Sequence, residues 1–310
     1  MATMSVMNLR KSVSKRELVG LLVLVLVAGL HLGCPSTEAP VGEIRVEPAR
    51  VELPYPGFAT IRLHWTMQAD LGPNVNNPLV FVHLLDSGGA VARTFDHPLP
   101  AEWIAGDQED YALDLYQSAL APPLSDGTYR LTLGLYDASG MRWPLSSAFG
   151  PVARTEYQVG EVLVDSESVE APMFFFSPSW LTLEAGTDAQ ILGRRWLSGE
   201  GTVRVANLPG RGILWLRLRI PDAEGSEAQL VLDEGATEAI VIVSGSCGIE
   251  ETALQGAGVQ EIFLDLSPAD GEDSPGECEI SLSPNFRWIE DESPIQRSVA
   301  LELISWKSTP

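Results

Sequence analysis

Residues that usually carry chemistry are scarce in this chain of 310, which holds three cysteines and four histidines. No Gly-x-Ser-x-Gly elbow occurs, so a serine nucleophile with a neighbouring base has no recognisable starting point. The cysteines at 34, 247 and 278 make no paired zinc motif. Cationic residues are outnumbered, 20 Lys and Arg against 42 Asp and Glu, for a formal charge of −22. A chain this acidic repels phosphate backbones, which argues against nucleic acid as a partner. The acidic residues are scattered rather than gathered into a tail, as on a solvated surface. Only one long apolar run is present, and beyond it no segment reads convincingly as a helix.

That run, Leu18 to Leu32, lies between the cations Arg10, Lys11, Lys15 and Arg16 and the pair Gly33-Cys34. As a helix it would reach about 22 Å, against about 30 Å of bilayer hydrocarbon. It is short for a permanent span and suited to a signal-peptide hydrophobic region. A basic start, an apolar run and a terminal Gly-Cys resemble a bacterial lipoprotein signal, with His31, Leu32, Gly33 and Cys34 at the lipobox positions. The resemblance implies cleavage before Cys34, a diacylglycerol on its sulfur and a membrane-anchored envelope protein. Pro35 stands where inner-membrane lipoproteins often carry aspartate, which leans toward the outer membrane. An uncleaved anchor and ordinary secretion are the other two readings of the same residues.

With Cys34 assigned to lipid, Cys247 and Cys278 remain as an even pair outside the cytoplasm, where disulfides persist. The alternative is two buried thiols. Residues 34–42 form a short tether rich in Pro and small polar side chains.

Period-two alternation dominates the rest. In Phe58–Met67, Ile61, Leu63 and Trp65 share one face and Arg62, His64 and Thr66 the other, the signature of a strand with one buried face. Leu79–Asp86 is a continuous apolar strand, followed by Ser87-Gly88-Gly89 and a returning strand over 90–95. Residues 110–116 alternate again, and Thr128–Asp137 places Tyr129, Leu131, Leu133 and Leu135 together. Further strands are expected at 181–184, 204–206, 213–220, 228–232, 239–243, 259–266, 279–282 and 299–306. Short strands at this spacing, separated by Gly, Pro and Asn turns, predict an all-β chain of two β-sandwiches: residues 43–164, a linker over 165–172, and 173–310.

Particular motifs carry two resemblances. His83–Asp86, the Asp96–Pro100 loop, Trp103 and the Gly-x-Tyr-x-Leu-x-x-Gly-x-Tyr-Asp stretch from Gly127 to Asp137 resemble the immunoglobulin-like β-sandwich that follows the membrane part of some bacterial glycosyltransferases. The likeness covers about 100 residues and implies a fold and an envelope setting, with no catalytic residue. More weakly, residues 193–221 and 285–306 are similar to galactose-binding-like jelly rolls.

Candidate sites are few. His64 and His83 fall on neighbouring strand candidates, where they would face one another as a metal pair or as hydrogen-bonded structural histidines. His97 belongs to a loop and reads as a surface contact. Asp270, Glu272, Asp273 and Glu277 crowd one loop that reads as solvated acid or as a calcium site, although the spacing matches no EF-hand. Aromatic rings are the best binding feature, because flat apolar faces hold sugars while polar groups orient them. Trp180, close to Met173–Phe176, and Arg287-Trp288 lie near expected loops; Trp65, Trp196, Trp215 and Trp306 read as core. The sequence therefore points to a non-catalytic envelope lipoprotein that binds carbohydrate or a glycoconjugate, with Trp288, Arg287 and Trp180 as ligand contacts and no resident cofactor beyond that calcium reading. The alternative is a structural or assembly lipoprotein contacting other envelope proteins.

Overall fold

The computed structural model describes residues 38–72, 75, 78–165, 171–186, 192–222, 229–267, 276–289 and 296–309. Twelve strands form the first region: β1 (Gly42–Glu47), β2 (Arg50–Glu52), β3 (Gly57–Met67), β4 (Leu79–Leu85), β5 (Val91–Thr94), β6 (His97–Pro98), β7 (Gln108–Gln117), β8 (Gly127–Tyr136), β9 (Arg142–Trp143), β10 (Leu145–Ser147), β11 (Pro151–Ala153) and β12 (Glu156–Val164). They make a four-stranded sheet, β10-β1-β3-β7, and a larger one on the path β11-β12-β8-β4-β5. Pairing is antiparallel except for β1 with β10 and β12 with β2. Ile61, Leu63 and Trp65 from one sheet and Val80, Val82, Leu131 and Leu133 from the other share a single core, which makes this pair of sheets a sandwich.

Twelve more strands follow: β13 (Met173–Phe176), β14 (Glu184–Ala185), β15 (Gly193–Trp196), β16 (Gly201–Leu208), β17 (Gly212–Ile220), β18 (Gln229–Leu232), β19 (Ile240–Gly245), β20 (Thr252–Gln255), β21 (Gly258–Leu266), β22 (Gly276–Pro284), β23 (Phe286–Ile289) and β24 (Ala300–Ser308). Two five-stranded sheets, β13-β16-β22-β19-β20 and β14-β15-β24-β17-β21, pack on a second core, and β18-β23 forms a separate pair. No helix occurs among the described residues. The chain is all-β, as the alternation predicts. The alternation does not mark β1, β2, β6, β10, β11, β12, β13, β15, β20 or β23, and of the expected strand at 181–184 only Glu184 is in a strand.

A disulfide joins Cys247, in the turn after β19, to Cys278 on β22, 31 positions apart. By the chain-entropy estimate a loop of that size contributes about 3–4 kcal/mol.

Residues from Pro40 to Pro310 cluster as one compact unit, and the connection between β7 and β8 shows how the two sandwiches are tied. Leu120 inserts into the second core. The Ala119 N–H donates to the Ile304 carbonyl at 2.9 Å, and the Ser305 hydroxyl donates to the Gln117 carbonyl at 3.2 Å. A Cβ on Gly193 would collide with the Leu120 carbonyl, so this close approach requires glycine.

Candidate functional site

The sandwiches meet at an aromatic seam. On β3, Phe58 shares the outward phase of Thr60 and Arg62, yet it is 5% exposed because the second sandwich covers that end of the sheet. Tyr116 on β7 and Trp215 on β17 also lie in outward phases, the second shared with Arg217. Phe58, Trp215 and Leu303 form a third apolar cluster, with Tyr116 and Ile213 packed against it. Phe58 and Tyr116 meet Trp215 edge-on at 5.5 and 5.2 Å. Phe263 on β21 stacks on Trp215 at 5.3 Å and 22°, while remaining 49% exposed.

A cleft of about 280 Å³ opens along this seam. Its wall includes Asp96 and His97, the β7 residues Asp114 and Tyr116, and Trp215, Arg217 and Glu261 from the second sandwich. Arg217 is held by Glu261 at 2.8 Å and donates to the Tyr116 hydroxyl at 3.1 Å. Burial works against its charge, but Tyr116 and Glu261 outweigh that and hold the guanidinium pKa above its ordinary value. Asp114 accepts from the Thr60 hydroxyl at 2.6 Å. The Trp215 indole N–H is buried with no hydrogen-bond partner among the described residues. Chemically, the cleft combines an oriented guanidinium with several carboxylates that can accept from paired hydroxyls, and the exposed Phe263 ring is stacked on its wall residue Trp215.

His97 is a wall of this cleft rather than a free surface contact. Its Nδ1 lies 2.9 Å from the Phe95 carbonyl, which can only accept, so the proton sits on Nδ1. Nε2 then accepts from the Tyr111 hydroxyl at 2.7 Å. Burial lowers the His97 pKa and raises that of Tyr111.

The sequence-predicted contacts lie elsewhere. Trp288 is 8% exposed: β23 pairs with β18, which turns Phe286 and Trp288 inward and leaves only Arg287 exposed, 3.6 Å from Asp233. Trp180 is 5% exposed, donates its indole N–H to the Thr202 carbonyl at 3.0 Å and meets Phe176 edge-on. Neither ring presents a free face for stacking. His64 and His83 do not face one another, because β3 and β4 belong to different sheets. His64 pairs with Asp110 at 2.8 Å and His83 with Glu156 at 3.4 Å. Glu277 pairs with Arg204 at 3.1 Å; Asp270, Glu272 and Asp273 lie outside the described residues, as do Cys34 and the apolar run. No metal-binding group of three or more His, Cys, Asp or Glu occurs among the described residues.

The recurrent residues of the first region do structural work. Asp86 caps the turn to Ala90, and Asp137 accepts from both the backbone and the hydroxyl of Ser139. Tyr129 closes onto the Ser125 carbonyl at 2.8 Å, Trp103 onto that of Ala69 at 2.8 Å, and Gly134 leaves room for the Phe81 ring.

The alternation alone does not pick out the seam: Phe58 and Tyr116 are ordinary strand residues in it, and Trp215 reads as core without a partner sheet. A signal was present: Phe58, Tyr116, Trp215 and Phe263 are aromatics in the polar phase of their strands.

No family model and no curated protein matches this chain. Among solved structures, the functional form of the mosquito-larvicidal Cry4Aa toxin from Bacillus thuringiensis is similar over 88% of this chain and 54% of that one, at 9% identity and a TM-score of 0.27. The chain thus spans about half the length of that neighbour, and so loose a superposition carries no argument about fold or function.

Proposed function

We propose that this chain is a non-catalytic envelope lipoprotein, anchored through Cys34 on the outer membrane, whose seam cleft binds carbohydrate. The observation that carries the reading is Phe263, a half-exposed ring stacked on Trp215 beside a cleft furnished with Arg217, Glu261 and Asp114. A sugar ring would lay its apolar face on Phe263. Its hydroxyls would pair with the carboxylates. The cleft is slightly smaller than the roughly 300–1,000 Å³ of pockets for drug-sized ligands, so it suits one or two sugar units. Repeated engagement of a polymer by many anchored copies would raise the effective affinity.

The test is binding of the detergent-solubilised full chain to a broad array of bacterial surface glycans, with and without calcium. Selective binding is expected, falling about tenfold or more in Phe263→Ala, a loss of about 1.4 kcal/mol. Absence of any glycan ligand for the folded chain, or unchanged binding by Phe263→Ala, overturns the reading. A calcium requirement would support the calcium reading of the acidic residues 270–277.

One observation favours the assembly reading. Strand β13 lies at the end of its sheet order and exposes Met173 and Phe175, 48% and 42% accessible, and open apolar edges recruit partner strands. Cross-linking from position 175 in native membranes is expected to capture an envelope protein if that reading is the right one.

A further inference from the structure

Another cavity on the seam, about 370 Å³, has different chemistry. Leu53, Pro54, Phe58, Leu163 and Trp306 give it an apolar lining. Lys307 also lines it, and no other lysine occurs in the sequence after Lys15. The Lys307 ammonium lies 5.4 Å from the centre of the Phe58 ring and donates to the Thr60 hydroxyl at 3.3 Å. The Thr60 hydrogen is already given to Asp114, so Thr60 serves Lys307 as an acceptor and occupies one of its three N–H donors. Among the described residues Lys307 has no carboxylate partner, in a chain where acids outnumber bases two to one. Glu52 and Asp165 also line the cavity, but both are exposed, where water and salt screen them. Lys307 is half-buried on Phe58, so its charge is less screened.

We propose that this cavity binds a small amphiphilic monocarboxylate, with its apolar body against Leu53, Phe58 and Leu163 and its carboxylate on Lys307. The site is separate from the glycan cleft and does not depend on that reading.

Equilibrium dialysis of radiolabelled octanoate against the full chain in non-ionic detergent, corrected for detergent alone, tests it. Saturable uptake is expected, retained in Lys307→Arg, weakened about tenfold or more in Lys307→Met, and not displaced by 1-octanol. No saturable uptake, equal uptake by Lys307→Met, or equal competition by 1-octanol overturns the proposal. Should Lys307→Met fail to fold, the unsubstituted chain still decides. Saturating octanoate is expected to slow acylation of Lys307 by an amine reagent, with an added lysine-containing peptide as the reference. Unchanged labelling of Lys307 overturns the proposal.

Discussion

The two sandwiches solve the same problem, two packed sheets with irregular ends, with different polar wiring. In the first, several turns are fixed by local bonds, beside longer ones such as His64 to Asp110 and His83 to Glu156. Asp86 reaches Ala90, Asp137 reaches Ser139 and Met141, and Tyr129 reaches Ser125, so a side chain secures a turn a few residues away. Hydrogen bonds from Ser139, with backbone N–H groups adding to them, hold the Asp137 carboxyl below its usual range. In the second, the ion pairs at its centre span the chain. Arg194 and Arg219 converge on Glu302, each at 2.6 Å, across 108 and 83 positions, and Arg297 reaches Glu184 across 113. The disulfide adds a covalent staple to the same half. Local caps close short loops, whereas long-range ion pairs need distant strands brought together, at a larger loop-closure cost.

The largest test of that difference is Glu302→Ala. The Glu302 side chain is fully buried between two guanidiniums that keep 18% and 35% exposure. Leaving both cations without their carboxylate is expected to cost about 3–5 kcal/mol, toward the lower figure because the arginines still touch water. Chemical denaturation measures it, and a loss under about 1 kcal/mol would remove the central pair from the comparison.

A smaller effect is expected in the first sandwich from Gly134→Ala. The new methyl would meet the Phe81 ring and the Thr155 carbonyl, and overpacking of this kind costs about 1–3 kcal/mol. The same denaturation series reads it. An unchanged midpoint would show that the Phe81 seat is loose, and that steric fit matters less there than the turn caps.

The smallest effect concerns pH. Burial depresses the His97 pKa, so below its ordinary value the unfolded chain takes up a proton that the folded chain resists. Stability contributed by neutral His97 is complete above about pH 6.5 and is lost as pH falls through the depressed folded value. His97→Gln is expected to flatten the acid side of the stability profile while leaving the neutral side almost level. If both proteins keep the same slope, His97 is not a source of acid sensitivity, and the long-range ion pairs become the better explanation.

The pattern of legibility follows the same division. Alternation in Phe58–Met67 and Thr128–Asp137 marked strands whose inward residues do form the first core, because a pleated strand turns alternate side chains to one face. The pairing of Cys247 with Cys278 follows from the even count left once Cys34 is set aside and from the expected envelope setting. Trp288 and Trp180 misled, because proximity to a turn says little about which neighbour covers a ring. The burial of Trp288 depends on β23 pairing with β18, more than fifty positions away. His64 and His83 were adjacent in strand order but not in sheet order.

By itself, then, the sequence determined the all-β character, the inward face of the main strands and the local caps, all set by backbone geometry and neighbours within a few residues. Only the tertiary structure decided which outward faces were covered. Phe58 and Tyr116 look like surface residues by strand phase, and with Trp215 they become a seam because another sheet removes them from water. That step depends on contacts between positions about a hundred or more apart, and strand periodicity carries no record of them.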